Sequence, residues 1–208
     1  MRLLSACVGL LVVYVVASSQ DLSHKDMTEI EGQWCGVRVA SNMNWFDKKK
    51  DDIDMCKAQF KITSSGDIKE TKWSTRDKHA AKEEILFRKT DKQGKYTYHS
   101  SLNHETDVYF VYADRKCLIT RAEYTKSGEK KYLLNLFAKR SAPEPNCKAK
   151  FRSIAEALEI SDSITSLSER GHCSIGFPQR WSVHCEDYSC VTRPLQGLFY
   201  YVLDAIIS

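Results

Sequence analysis

The sequence lacks the short motifs that mark common catalytic and nucleotide-binding sites. It contains no Gly-x-Ser-x-Gly, no His-Glu-x-x-His and no phosphate-binding P-loop, and its six histidines are scattered along the chain. None of the usual hydrolase, metalloprotease or nucleotide-dependent sites is therefore indicated. The sequence predicts a protein that is not an enzyme and that needs no cofactor.

A strong excess of charge of either sign is also missing. The chain has 31 Lys and Arg against 27 Asp and Glu, which gives a formal net charge of +4. Its basic run at residues 48–50 is followed at once by Asp51 and Asp52. Such a mixed run is typical of a solvated loop and not of a surface that binds nucleic acid. We predict no nucleic-acid partner.

Apolar segments long enough to cross a membrane are absent too. The apolar residues 3–16 follow Arg2 and precede small residues at 17–19, the pattern of a secretory signal peptide. This run, and the apolar end 197–208 that Asp204 interrupts, are shorter than the ~20 apolar residues of a membrane span. We predict a signal peptide at residues 1–19, a secreted extracellular protein and no membrane span.

What the sequence does contain is a series of strand-like segments with turn residues between them. The clearest are residues 107–112, 117–124 and 132–138, which are rich in β-branched and aromatic side chains. A helix follows, because Phe151, Ile154, Ala155 and Leu158 fall on one face at helical spacing. Strand signals recur without long helices between them, which argues against a parallel α/β sheet. The pattern predicts an antiparallel all-β barrel or sandwich.

The first predicted strand carries a more specific signal. Its Gly32-Gln33-Trp34 resembles the Gly-x-Trp motif of lipocalins, and Arg140, between the last strand and the helix, resembles the basic residue that covers that tryptophan. A guanidinium stacks well on an indole ring. The resemblance implies an eight-stranded antiparallel up-and-down barrel with a C-terminal α-helix packed on its side. In that barrel Gly32, Trp34 and Arg140 form the closed floor.

The positions of the cysteines resemble those of a narrower group of lipocalins. Cys7 would leave with the signal peptide, and the other seven of the eight are Cys35, Cys56, Cys117, Cys147, Cys173, Cys185 and Cys190. Their layout resembles that of tick salivary lipocalins, the histamine-binding protein group, and implies the disulfides Cys56–Cys173 and Cys117–Cys147. His172 beside Cys173 and His184 beside Cys185 have zinc-binding side chains, but in a secreted chain disulfides are expected and no metal is predicted.

The resemblance ends at Cys173. We therefore divide the chain into the signal peptide, a lipocalin-like barrel with its helix at residues 20–173, and a C-terminal extension of unknown role at 174–208. Cys185–Cys190 would close a small loop and leave Cys35 as the odd thiol. Alternatively, Cys35 pairs with one of these two cysteines, and the sequence leaves both arrangements open.

An eight-stranded barrel has room for one small ligand. Strand positions predict a lining of Trp34, Arg38, Phe60, Trp73, Tyr98, Phe110, Tyr112, Glu123 and Asn135. For each of these residues, core packing or an outward position is the alternative, because one bulge exchanges the two faces of a strand. The loop 41–54 with Trp45 and Phe46 either caps the barrel mouth or packs locally.

The charged groups inside the barrel would distinguish two classes of ligand. A buried amine such as histamine or serotonin needs internal carboxylates. Amine-binding members of the resembled group carry an acid before Leu-Trp on the last strand, where this chain has Asn135, so Glu105, Asp107 or Glu123 would have to replace it. A lipid mediator such as a leukotriene or fatty acid would use an apolar tunnel with Arg, Lys or Tyr at its mouth, and Arg38 and the many tyrosines permit that. We predict sequestration of one such small host mediator.

A different class of function remains as the alternative. The barrel would then be only a scaffold, and the protein would inhibit a host protein such as a complement component. The loop 41–50 or the C-terminal extension would form the contact. A filled barrel interior would favour this inhibitor, whereas an open cavity with a convergent acid or base would favour the ligand trap.

Overall fold

The computed structural model describes residues 27–53, 57–74, 81–99, 105–126, 128–139 and 142–167, which contain nine strands. These strands are β1 (Gly32–Ser41), β2 (Lys57–Ile62), β3 (Ile68–Ser74), β4 (Ala81–Lys89), β5 (Lys95–His99), β6 (Glu105–Ala113), β7 (Cys117–Lys126), β8 (Glu129–Ala138) and β9 (Thr165–Ser166). The helices are α1 (Phe46–Lys49) and α2 (Pro145–Ala157), with 3-10 turns at Lys50–Asp52 and Ser161–Ser163.

The first eight strands close into an antiparallel barrel. From β2 to β8 each strand pairs with the next along the chain, and β1 pairs with both β8 and β2. β1 leaves β2 after Trp34, and β9 then takes the vacated edge beside Arg38 and Val39. The predicted eight-stranded up-and-down barrel is confirmed.

Two apolar layers hold this architecture together. The inner layer fills the barrel and contains the largest aromatic side chains. The outer layer lies between the outer faces of β1, β7 and β8 and the helix α2, which buries Phe151 and Ala155 there. Ile154 and Leu158 pack at the margin of this layer, as the helical spacing predicted. Alternating side chains on the strands supply both layers at once.

One predicted disulfide lies in the outer layer and joins β7 to α2. Cys117 at the start of β7 is bonded to Cys147 in the first turn of α2, with 6.1 Å between their Cα atoms. Cys35 is completely buried in the outer layer and is also disulfide-bonded. It is therefore not the odd thiol that one of the two sequence arrangements implied. Its partner lies outside the described residues, because Cys117 and Cys147 bind each other.

Several predictions fall on other parts of the chain. The described residues do not include the signal peptide, the extension 174–208 or Arg140. They also do not include the cysteines of the predicted pairs Cys56–Cys173 and Cys185–Cys190. These stay predictions. Among the helices that the structure describes, none is long and apolar enough to span a membrane.

Candidate ligand site inside the barrel

The closed end of the barrel is built on Trp34. Its side chain is completely buried, and its Nε1 donates a hydrogen bond to the carbonyl of Ile30 at 2.8 Å. Lys139 covers the ring with Nζ 3.4 Å from the centroid and donates to the carbonyl of Gln33 at 3.0 Å. Burial lowers the pKa of Lys139. A cation thus covers the tryptophan as the motif implied, and in the described structure that cation is Lys139.

A layer of aromatic rings lies above this floor. Phe110 is its centre and contacts Phe60, Phe87 and Tyr96 edge to face, with centroids 5.9, 5.9 and 5.3 Å away. Phe137 adds a further contact to Phe60 at 5.4 Å. Edge-to-face packing fixes ring orientations, so this layer is a rigid apolar base for anything bound above it.

A small cavity of about 10 Å³ lies against these rings. Phe60, Phe87 and Phe137 form part of its wall, with Val108 and Ala122. Its polar lining consists of Glu70, Lys72, Thr120 and Asn135, and Asn135 Nδ2 donates to Thr120 Oγ1 at 3.4 Å. A cavity of roughly this volume holds about one water molecule. The barrel interior is therefore nearly filled in this conformation.

The polar wall is dominated by a buried acid and base on β3. Glu70 exposes only 3% of its side chain, and its Oε2 lies 3.5 Å from Lys72 Nζ. Its other oxygen, Oε1, is buried and has no hydrogen-bond partner within the described ranges. Burial raises the pKa of Glu70, the Lys72 charge opposes that rise, and the charge of Glu83 on β4 adds to it.

Glu83 belongs to the same wall. It lies directly across from Lys72 in the β3–β4 pairing, and directly opposed residues project from the same face of a sheet. Its Oε1 is also buried without a hydrogen-bond partner in the described part of the chain. Glu70, Lys72 and Glu83 are not among the lining residues that the sequence predicted. Ile68, Glu70 and Lys72 alternate along one face of the strand, which is a signal for an inward acid and base, whereas the apolar ring of Trp73 favours the other face.

The open end of the barrel is covered by the loop between β1 and β2. Met43, Trp45, Phe46 and Ile53 are buried and belong to the same apolar cluster as the barrel interior. Asn42 Oδ1 accepts a hydrogen bond from the Tyr132 amide at 2.7 Å and fixes the loop to β8. The sequence left two alternatives for this loop, a cap of the barrel mouth or local packing, and the structure agrees with the cap. We call residues 42–53 the lid.

The structure divides the nine predicted lining residues between the two faces of the barrel wall. Inside are Trp34, Phe60, Tyr98, Phe110 and Asn135, all buried. Outside are Arg38, Trp73, Tyr112 and Glu123. Trp73 lies outside because it alternates with the inward Lys72. Glu123 is bound by Arg121 Nη2 at 2.8 Å and alternates with the inward Ala122.

Two register shifts explain the other outward residues. One lies between Gly36 and Arg38, so Arg38 no longer shares a face with Trp34 and instead opposes Leu136 of the outer layer. The second lies between Phe110 and Tyr112 and turns Tyr112 outward, where its hydroxyl donates to Asp114 at 2.7 Å. A bulge adds one residue to a strand and thereby exchanges its faces.

The three acids that the sequence offered as internal carboxylates are also engaged elsewhere. Glu105 lies 3.1 Å from His99, and Asp107 lies 2.8 Å from Lys95, in addition to the Glu123–Arg121 pair. Asp107 and Glu123 oppose each other across β6 and β7 on the outer face. The interior carboxylates come from β3 and β4 instead.

Within the described ranges, one group of side chains has the ligand types and closeness of a metal site. It consists of Asp114, Cys117 and Cys147. Both sulfurs are consumed by the disulfide, and Asp114 Oδ1 accepts the amides of Lys116 and Cys117 at 2.7 Å each. These contacts give the group a structural role at the β6–β7 turn.

An eight-stranded antiparallel barrel with a floor, a lid and a side helix is the architecture of the small-ligand-binding lipocalins. The model of the "Lipocalin / cytosolic fatty-acid binding protein family" matches residues 31–171. The chain belongs to this family.

Similar proteins have low sequence identity to this chain, but the similarity covers most of its length. The extracellular fatty acid-binding protein of Coturnix japonica is 24% identical over 82% of this chain and 95% of the relative. The prostaglandin-H2 D-isomerase of Equus caballus is 29% identical over 68% of this chain and 77% of the relative. The lipocalin of Rhinella marina is 26% identical over 70% and 81%, respectively.

Solved structures give the same fold. The siderocalin Ex-FABP superposes with a TM-score of 0.58 at 23% identity, over 69% of this chain and 96% of that one. Siderocalin Q83 also gives 0.58, at 24% identity, over 73% and 97%. At this identity the likeness shows the fold alone. Placement in the tick salivary histamine-binding group stays a prediction.

Proposed function

We propose that this protein is a secreted, non-enzymatic lipocalin that sequesters one small host-derived mediator inside its barrel. The observation that carries the proposal is the buried Glu70 Oε1, which has no hydrogen-bond partner among the described residues and belongs to a side chain lining the cavity. A buried polar atom without a partner is costly to the fold. A ligand whose polar group reaches this atom would remove that cost.

The structure has features that suit both ligand classes expected from the sequence, the lipid mediator and the amine. The aromatic layer around Phe110 suits the apolar body of a lipid mediator, and two relatives are named for a fatty acid and a prostaglandin. The carboxylates of Glu70 and Glu83 suit an amine such as histamine or serotonin. In either case the ligand's apolar part would lie on the rings and its polar part on the β3–β4 wall.

Binding requires the lid to move. A cavity of about 10 Å³ cannot hold such a molecule, and Trp45 and Phe46 occupy the open end. We expect these two side chains to be displaced when a ligand enters. Lids that open and close around ligands are a common device in binding and catalysis.

Catalysis is not part of the proposal. The described cysteines, Cys35, Cys117 and Cys147, are all in disulfides, and a thiol in a disulfide is not a nucleophile. None of the three belongs to the cluster of buried residues inside the barrel. The described cysteines therefore supply no thiol nucleophile inside the barrel.

Titration calorimetry of the secreted chain tests the proposal. The ligands are histamine, serotonin, a leukotriene and a long-chain fatty acid. We expect saturable heat with a stoichiometry near one for at least one of them. An absence of heat with all four would reject the ligand-trap function.

The nearly filled interior favours a second candidate, in which the barrel is a scaffold and the protein inhibits a host protein such as a complement component. The lid presents Asp47, Lys48 and Lys49 to solvent, as a contact loop would. Surface plasmon resonance with purified complement components tests this candidate. Binding to a complement component, together with no heat from any of the four small ligands in calorimetry, would establish the inhibitor over the ligand trap.

A further inference from the structure

The middle of the barrel holds more acid than base. Among the described residues on the cavity wall and opposite it, the carboxylates are Glu70 and Glu83, and the cation is Lys72. Two further lysines at the ends of the barrel are engaged elsewhere, since Lys131 at the rim lies 3.1 Å from Glu129 and Lys139 lies on Trp34 at the floor. One ammonium therefore faces two carboxylates in an enclosed space.

The atoms of this group show which kind of chemical group would fit beside them. Lys72 Nζ lies 3.5 Å from Glu70 Oε2, which leaves the other oxygen of Glu70 and one oxygen of Glu83 buried without a hydrogen-bond donor in the described structure. Carboxylate oxygens only accept hydrogen bonds when ionised. The two carboxylate oxygens are thus hydrogen-bond acceptors with negative charge, and they match a group that donates several hydrogen bonds and carries a positive charge.

We propose that Glu70 and Glu83 form the head-group subsite of the barrel and that this subsite takes a protonated amine. The proposal rests on the proposed ligand-trap function and names the ligand class for that site. An ammonium group has several N–H donors and would satisfy the open oxygens while balancing the second carboxylate. The apolar body of the amine then lies on Phe60, Phe87 and Phe137.

A ligand with a carboxylate head group would fare worse at the same place. It would bring a third negative charge next to Glu70 and Glu83, against Lys72, whose charge Glu70 already offsets. Like charges close together in a low-dielectric interior repel strongly. A neutral hydroxyl would donate one hydrogen bond and would leave the charge of the wall unbalanced. The expected order of affinity is amine, then alcohol, then acid.

Three probes with one ring system test this order on the native secreted chain. They are tryptamine, tryptophol and indole-3-acetate, which carry an ammonium, a hydroxyl and a carboxylate, respectively. Equilibrium dialysis at neutral pH should give tryptamine an affinity at least about tenfold higher than tryptophol, a difference of about 1.4 kcal/mol. Indole-3-acetate should bind most weakly of the three.

Substitutions then assign the effect to the subsite. Glu70→Gln and Glu83→Gln should each weaken tryptamine by about tenfold, or about 1.4 kcal/mol, and change tryptophol little. The matched control is Glu84→Gln, because Glu84 neighbours Glu83 but is exposed and lies 2.7 Å from Lys69 and 2.9 Å from Lys82. It should leave all three affinities unchanged. Thermal unfolding of each variant checks that the barrel is folded.

The outcomes separate the two levels of inference. If tryptophol or indole-3-acetate binds as tightly as tryptamine, the amine subsite is overturned and the ligand trap stands. The same holds if the amines fail while the leukotriene or the fatty acid gives heat. If no probe and no mediator binds, both proposals fall.

Discussion

Lys139 Nζ lies 3.4 Å above the ring of Trp34 and 3.0 Å from the carbonyl of Gln33, so one side chain joins β8 to β1 at the closed end. The sequence motif predicts a guanidinium from Arg140 on this ring, and that prediction lies outside the described residues. Lys139 directly follows Ala138, the last residue of β8, and reaches the ring. A cation–π contact of this kind needs only a positive charge over the ring.

The Lys139 contact gives the first prediction. Lys139→Ala should lower the free energy of unfolding by about 1 to 2 kcal/mol, because the contact is half-buried and the carbonyl of Gln33 loses its donor. Lys139→Arg should retain most of the stability. Urea unfolding of both variants measures the difference. Lys92→Ala, in an exposed turn, is the control and should change little.

The Cys117–Cys147 disulfide gives the second prediction. It closes a loop with a sequence separation of 30 residues. Replacing both cysteines with alanine should lower the free energy of unfolding by about 3 to 4 kcal/mol on the chain-entropy estimate. Denaturant unfolding without reductant measures this loss. An unchanged midpoint would show that the outer apolar layer alone holds α2 against β7 and β8.

The buried Glu70 gives the third prediction, which concerns pH. Its pKa in the folded protein is raised above the ordinary 4.5, so between these two pKa values the folded state binds more protons than the unfolded state. The contribution of Glu70 to the free energy of unfolding must therefore fall as pH rises above about 4.5. Glu70→Gln removes this contribution. Urea unfolding from pH 4 to pH 8 should show the native chain losing stability relative to the variant with rising pH.

Glu84 provides the opposite sign as a control for that measurement. Hydrogen bonds from Lys69 and Lys82 lower its pKa from 4.5 to about 2. Its contribution is present above 4.5 and is lost as pH falls towards 2. Glu84→Gln should thus give a difference that is flat from pH 5 to pH 8. A flat difference for Glu70→Gln as well would contradict the assignment of Glu70 as a buried acid with a raised pKa.

The lid gives the fourth prediction. Trp45 is buried against the barrel interior, and Trp45→Ala should open the mouth. We expect a higher association rate constant for the neutral probe N-phenyl-1-naphthylamine, measured by stopped-flow fluorescence. The loss of stability should stay below the ~3–5 kcal/mol of a core tryptophan because a loop can collapse into the space. Trp73→Ala, on the outer face of β3, is the control and should leave the rate unchanged.

Local patterns explain why much of the architecture was predictable. Turn residues between β-branched and aromatic segments defined the antiparallel strands, helical spacing from Phe151 to Leu158 defined α2, and Gly32 with Trp34 marked the closed end. These features can be predicted from the sequence because each depends on residues that are close together along the chain. Of the cavity wall, the sequence predicted Phe60 and Asn135 but not Glu70 or Lys72.

The sequence by itself determined that the chain forms a meander of antiparallel strands closed by a helix, since strand and helix periods are written into consecutive residues. Only the tertiary structure decided which side chains face inward. One extra residue between Gly36 and Arg38, and another between Phe110 and Tyr112, exchanges the faces of a strand, and alternation alone does not reveal either shift. The same physics placed Glu70 and Glu83 inside and Glu123 outside, because facing depends on register with a neighbouring strand.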